Sequence, residues 1–189
     1  MFDETDFRGV DLPKPLSAIT ADVERAFKAK LYYPALVVAL TLPEVCSALL
    51  MDTNEFVKGP HYRKFLEIYA NPTELGLSPM ECYRLRGGVV HRGGTGFNQV
   101  ERFSHVFFTI PETVNSIHGI RLIGPNGFAM TLDLRLFCSA MVRAVCRWYL
   151  DNQNHEKLAS NLENLISPRS LGGWPLDQGV RPVLGSGPL

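Results

Sequence analysis

The chain has 189 residues, 46% hydrophobic and 20% charged, enough for one buried core, short for two, and too apolar for a disordered polypeptide. Lys plus Arg and Asp plus Glu balance at 19 each, so the molecule is no general polycation, and any polyanion site on it has to be local. The start, Met1-Phe-Asp-Glu-Thr-Asp6, is acidic, and the longest apolar stretch, Leu31 to Met51, is interrupted by Pro34, Thr41, Pro43 and Glu44; neither export nor a membrane span is predicted, and a cytoplasmic location is expected.

In chain order, residues 1–16 read as an N-terminal arm. From Ser17, the apolar residues Ile19, Val23, Ala26, Phe27 and Leu31 recur at helical spacing. Pro34 opens a second helix to about Met51, apolar on most faces and hence the core element. Pro43 kinks or splits it, with Thr41 and Glu44 as caps of a new start. Gly59-Pro60 turns into a third helix, His61 to Ala70. The next has the clearest start: Ser78 as N-cap, Pro79 in the first turn, Glu81 closing a capping box. It runs to Gly93-Gly94. Phe103–Ile110, His118–Ile123 and Phe128–Leu132 are β-rich around the turn Gly124-Pro-Asn-Gly127, and predict a small antiparallel hairpin or meander at about 103–132. Asp133 caps an amphipathic helix to about Asn152, carrying Phe137, Met141, Val145 and Trp148 inward, and a shorter one spans His155–Ile166. The tail, 167–189, holds four of the 13 prolines and reads as loose or draped. The fold class is therefore mainly α, with one domain over 17–166 and a small β insert.

Four cysteines, Cys46, Cys82, Cys138 and Cys146, form no CxxC pair and read as small buried thiols. His61, His105, His118 and His155 show no ligand spacing, so neither a metal nor a cofactor is expected. Gly93-Gly-Thr-Gly96 follows a helix instead of a strand and lacks the Lys-Ser/Thr pair of a phosphate loop; it reads as a helix end. Phe103, Phe107 and Phe108 read as core-facing, and Trp148 and Trp174 as packing anchors.

Chemistry concentrates in Arg84-Leu-Arg86-Gly87-Gly88-Val-Val-His91-Arg92, three arginines and a histidine in nine positions without an acid. Arg86 and His91, five apart, sit about 140° around an ideal helix. They converge if Arg86 reaches across, or if a second copy of the helix brings its own pair. Gly87 and Gly88, each costing about 1 kcal/mol inside a helix, favour close approach of that second copy and mark the expected dimer contact. The blander readings stand beside these. His91 suits a helix C-terminus as a cation, the arginines suit a solvated face, and Glu44 serves either as a cap or as the partner that orients Arg86.

The string Tyr83-Arg-Leu-Arg-Gly-Gly-Val-Val-His-Arg-Gly93 resembles the motif helix of the HEPN superfamily of ribonucleases and nucleotide-binding domains, with Gly87 where that family often has a polar residue. The order of helices is similar over about residues 17–152. The resemblance implies a HEPN-like helical bundle and a metal-independent endoribonuclease in which His91 moves the proton as a 2′-hydroxyl attacks the adjacent phosphate. Arg86 holds that phosphate and its developing charge. Arg84 and Arg92 position the backbone, Tyr83 stacks on a base, and the product is a 2′,3′-cyclic phosphate. It also implies a homodimer, RNA or a nucleotide as ligand, and a toxin–antitoxin or phage-defence setting with an antitoxin partner. The alternative is a non-catalytic dimerisation or interaction module, or a nucleotide binder using the arginines as a clamp.

Overall fold

In the computed structural model, which describes residues 10–96, 103–111, 117–125, 127–170 and 182–185, the first helix begins earlier than its spacing predicts. Helix α1 (Lys14–Lys28) follows Pro13 and carries Pro15 in its first turn, where a missing N–H costs nothing. The arm therefore ends before residue 16: Leu16 lies inside α1, fully buried.

Helix α2 (Tyr32–Ala48) runs unbroken through Pro43, which corrects the expected split. Thr41 caps no new start; its hydroxyl donates back to the Val38 carbonyl at 2.8 Å, and Ser47 donates to Pro43 at 2.7 Å. Proline inside a helix costs about 3 kcal/mol. Tertiary burial offsets it, for Ala35, Ala39, Leu40, Leu42 and Cys46 are all fully buried.

Helix α3 (Gly59–Tyr69) is followed by a single turn, α4 (Pro72–Leu75), which the periodicity does not announce. Asn71 caps it by accepting from the Thr73 N–H at 3.0 Å. Helix α5 (Pro79–Arg92) forms as its local signals dictate. Ser78 Oγ accepts from the Glu81 N–H at 3.3 Å, and Glu81 accepts from the Ser78 N–H at 2.7 Å. Helix α6 (Leu134–Asn152) is capped by Asp133, which accepts from the Leu136 N–H at 2.9 Å. The short α7 (Leu158–Glu163) ends the helical part. In this bundle α2 is central, packing against α1, α3, α5 and α6, with Tyr62, Leu85, Phe137, Met141 and Trp148 buried around it.

The β insert is present, but its topology differs from a meander. Strands β1 (His105–Thr109), β2 (Ile120–Gly124) and β3 (Gly127–Asp133) are ordered β1-β3-β2. β2 and β3 pair antiparallel, as predicted, whereas β1 and β3 are parallel, with Val106 opposite Met130 and Phe108 opposite Leu132. Burial explains the order. Val106, Met130 and Leu132 are buried on one face and Phe108 meets Phe137 of α6 edge-on at 5.4 Å. β2 is exposed along its whole length and takes the edge. Phe107 points to the opposite face and is 53% exposed, so of the three phenylalanines it alone departs from the core reading.

The tail is not wholly loose. β4 (Ser167–Ser170) and β5 (Pro182–Gly185) pair antiparallel, with Pro168 opposite Leu184 and Ser170 opposite Pro182. Trp174 lies outside the described residues. Among those residues no helix is long and apolar enough to cross a membrane. The four cysteines are unpaired and buried, and no group of three His, Cys, Asp or Glu side chains gathers to hold a metal ion.

Candidate functional site

The site is built on two helices. α5 supplies Arg86 and His91, and α2 supplies Glu44. Arg86 Nη1 lies 2.9 Å from His91 Nε2, and Arg86 Nη2 donates to Glu44 Oε2 in an ion pair. A guanidinium carries only donors, so in this contact His91 Nε2 is the accepting atom. One chain thus brings the pair together. The 140° separation describes where the Cα–Cβ bonds leave the helix, and the long Arg86 side chain reaches around it. A twin helix is not needed for the two groups to meet, which corrects the geometric argument for the second copy.

Glycine spacing is explained within the chain as well. Gly93 adopts the left-handed conformation at φ 65°, turning the chain so that the Gly94 N–H returns to the Gly88 carbonyl at 3.2 Å. A Cβ on Gly88 would stand 2.7 Å from the Gly94 carbonyl oxygen. The backbone approached by Gly88 is its own helix end, which accounts for this glycine within one chain. Gly87 differs: a Cβ there meets nothing within 4 Å.

Burial grades the members of the site. The Arg86 side chain is 18% exposed and that of Glu44 32%, and Arg86 Nε is buried without a partner among the described residues. His91, Arg84 and Arg92 are exposed. Beneath them Tyr62 is buried and donates to the Leu40 carbonyl at 3.0 Å. Burial pushes its hydroxyl well up, while Cys82 and Glu44 act in the same direction and Arg86 opposes; it stays a donor. Tyr83, expected to stack on a base, is half-buried and packs against Tyr62, centroids 5.5 Å apart. Its ring also sits where a Cβ on Gly59 would come within 2.9 Å. It belongs to the α3–α5 contact.

Tyr33, at the start of α2, was not singled out by the sequence. Its hydroxyl donates to the Val89 carbonyl of α5 at 3.0 Å, yet the residue is 54% exposed. Glu44, the partner of Arg86, also lines a groove of about 580 Å³ with Asp52, Glu55, Thr41, Asn161 and Asn164. Lys157 bonds Asp52 at 2.8 Å from its rim. The remaining histidines are dispersed. His118, for one, accepts the Asp133 N–H at 3.2 Å and donates to the Thr73 carbonyl at 3.3 Å, tying the sheet to α4.

Comparison with protein-family models, curated proteins and solved structures finds no match to this chain.

Proposed function

We propose that the Arg86–His91–Glu44 cluster acts on RNA phosphodiesters without a metal, in the manner of the HEPN superfamily that the motif helix resembles. The observation that carries this reading is the contact between a guanidinium and an exposed imidazole, with a carboxylate fixing the guanidinium from behind. Phosphate is the better acceptor for Arg86 Nη1, through a charge-assisted bond. When it binds, Nη1 turns to the phosphate oxygens and His91 Nε2 is released to act as base. The 2′-hydroxyl gives its proton to Nε2, its oxygen bonds to phosphorus, and the bond to the 5′-oxygen breaks. That oxygen leaves with a proton from solvent, producing a 2′,3′-cyclic phosphate and a 5′-hydroxyl. Arg86 carries the extra charge on the phosphoryl oxygens in the transition state. Arg84 and Arg92, on the exposed side of α5, attract the backbone on either side.

A second reading is favoured by one specific fact: both terminal nitrogens of Arg86 already have partners. In it the cluster braces α5 on α2, and the open side of Gly87 seats a second copy or a protein partner, so the domain is a non-catalytic interaction module of the kind an antitoxin would mask.

Incubation of a mixed RNA pool with the protein in EDTA, beside Arg86→Ala and His91→Ala, separates the two. Cleavage that resists EDTA and disappears in both variants is expected. Intact RNA with all three proteins, together with a dimer by light scattering, would leave the interaction module in place of the enzyme.

A further inference from the structure

We infer that Tyr33 is the base-stacking residue of this site, and hence that its substrate is single-stranded RNA with an unpaired base beside the scissile phosphate; the inference rests on the phosphodiester reading above. Tyr33 is held at both ends, by the first turn of α2 and by its hydroxyl on the Val89 carbonyl at 3.0 Å. Val89 lies between Arg86 and His91 on α5. The only polar atom of the side chain is spent on that bond, and the residue is still 54% exposed. A large ring anchored at its tip offers its face to a ligand with little further ordering.

Charge along α2 gives the direction. From Arg86 one way leads to the groove of Glu44, Asp52 and Glu55, where Arg86 pairs with Glu44 and Lys157 with Asp52, so that the cations are already taken and Glu55 opposes a phosphate chain. The other way leads to Tyr33 and the helix end bearing exposed His91 and Arg92. A strand whose scissile phosphate sits on Arg86 therefore continues over Tyr33, and Tyr83, the aromatic of the motif itself, is committed to Tyr62. A ring at that place is useful only to a base released from its neighbours, because bases in an A-form duplex remain stacked inside it.

The test uses 2′-O-methyl RNA with a single 2′-hydroxyl, which fixes the cleaved bond, and an abasic nucleotide placed in turn on each side of it. Affinity by fluorescence anisotropy and cleavage are measured for the native chain, Tyr33→Phe and Tyr33→Leu. On one side, loss of the base should weaken binding by the native chain and Tyr33→Phe about tenfold. Tyr33→Leu should bind base-containing and abasic RNA alike, at the weaker level. Native affinity in Tyr33→Leu overturns the inference, as does equal weakening in Tyr33→Phe and Tyr33→Leu, which would make the hydroxyl tie, not the ring, the cause. Cleavage that continues with Tyr33→Leu unaltered overturns this inference alone. RNA neither bound nor cut by the native chain overturns it together with the phosphodiester reading.

Discussion

Alanine at the two neighbouring glycines of α5 should move stability in opposite directions. At Gly87 an added methyl meets nothing within 4 Å, so the change keeps only the helix-propensity gain, about 0.5–1 kcal/mol. At Gly88 the same gain is opposed by a contact of 2.7 Å with the Gly94 carbonyl. That oxygen is backbone and cannot swing aside. Overpacking of this kind costs about 1–3 kcal/mol, and yielding also strains the Gly94-to-Gly88 hydrogen bond, worth about 1 kcal/mol. The balance is a loss of about 2 kcal/mol. For a domain of this size about 2–4 °C of melting temperature follows each kcal/mol. Gly87→Ala should then melt about 1–4 °C higher than the native chain and Gly88→Ala about 4–8 °C lower, by far-UV circular dichroism. On the phosphodiester reading, cleavage should fall with Gly88→Ala, since the displaced turn carries His91. A lower melting temperature for Gly87→Ala, with dissociation by light scattering, would refute the assignment of open space and restore a second copy at that face.

Two further outcomes test the core. Thr131 is 5% exposed and its hydroxyl has no partner among the described residues; Thr131→Val, which keeps the shape and removes the unsatisfied group, should be neutral or stabilise by about 1 kcal/mol in urea unfolding, and a loss above that would reveal a bond at this hydroxyl. Burial pushes all four thiols up, with Cys146 adding to the rise at Cys46 and Arg147 partly opposing at Cys146. At pH 8 the folded chain should react slowly with a disulfide reagent and fully only in denaturant. Because the unfolded thiols ionise first, stability should decline above about pH 9, so a melting temperature that rises there would contradict the raised thiols.

The parts of the fold visible in the sequence are those decided within one turn of chain. Ser78, Pro79, Glu81 and Gly93 are neighbours in a helix that needs no outside help to begin or end, and Asp133 acts the same way for α6. Pro43 is the opposite case. Its local rule says break, but neighbours on several sides of α2 bury that stretch and overrule it. Parallel pairing of β1 with β3 depends on which strand faces α6, a matter of Phe108 and Phe137 that no local alternation encodes. In the site, Arg86 and His91 were visible as residue types, and the angle between them was misleading because it ignored the length of the guanidinium arm. Glu44 was ambiguous until the fold joined α2 to α5 across 42 residues. Tyr33 had no signal at all: an aromatic at the start of an apolar helix reads as core, and only its exposure in three dimensions says otherwise.

On the phosphodiester reading, the sharing of Arg86 between Glu44 and His91 has a kinetic consequence that a structural brace would not produce. Glu44→Gln keeps a neutral acceptor near Arg86 Nη2 and removes the opposing charge. With the pair partly exposed, the stability loss should be small, about 1 kcal/mol. The freed cation then attracts phosphate more strongly in the ground state, so RNA should bind about fivefold tighter by anisotropy, an amount matching about 1 kcal/mol. Orientation suffers at the same time. Without the carboxylate behind it, the guanidinium is less fixed against the phosphorane oxygens, and that interaction counts only in the transition state. KM and kcat should therefore fall together in Glu44→Gln. If the cluster merely braced α5 on α2, loosening it would weaken RNA binding along with stability, and a rise in KM in a folded Glu44→Gln protein would rule out Arg86 as the phosphate-holding group.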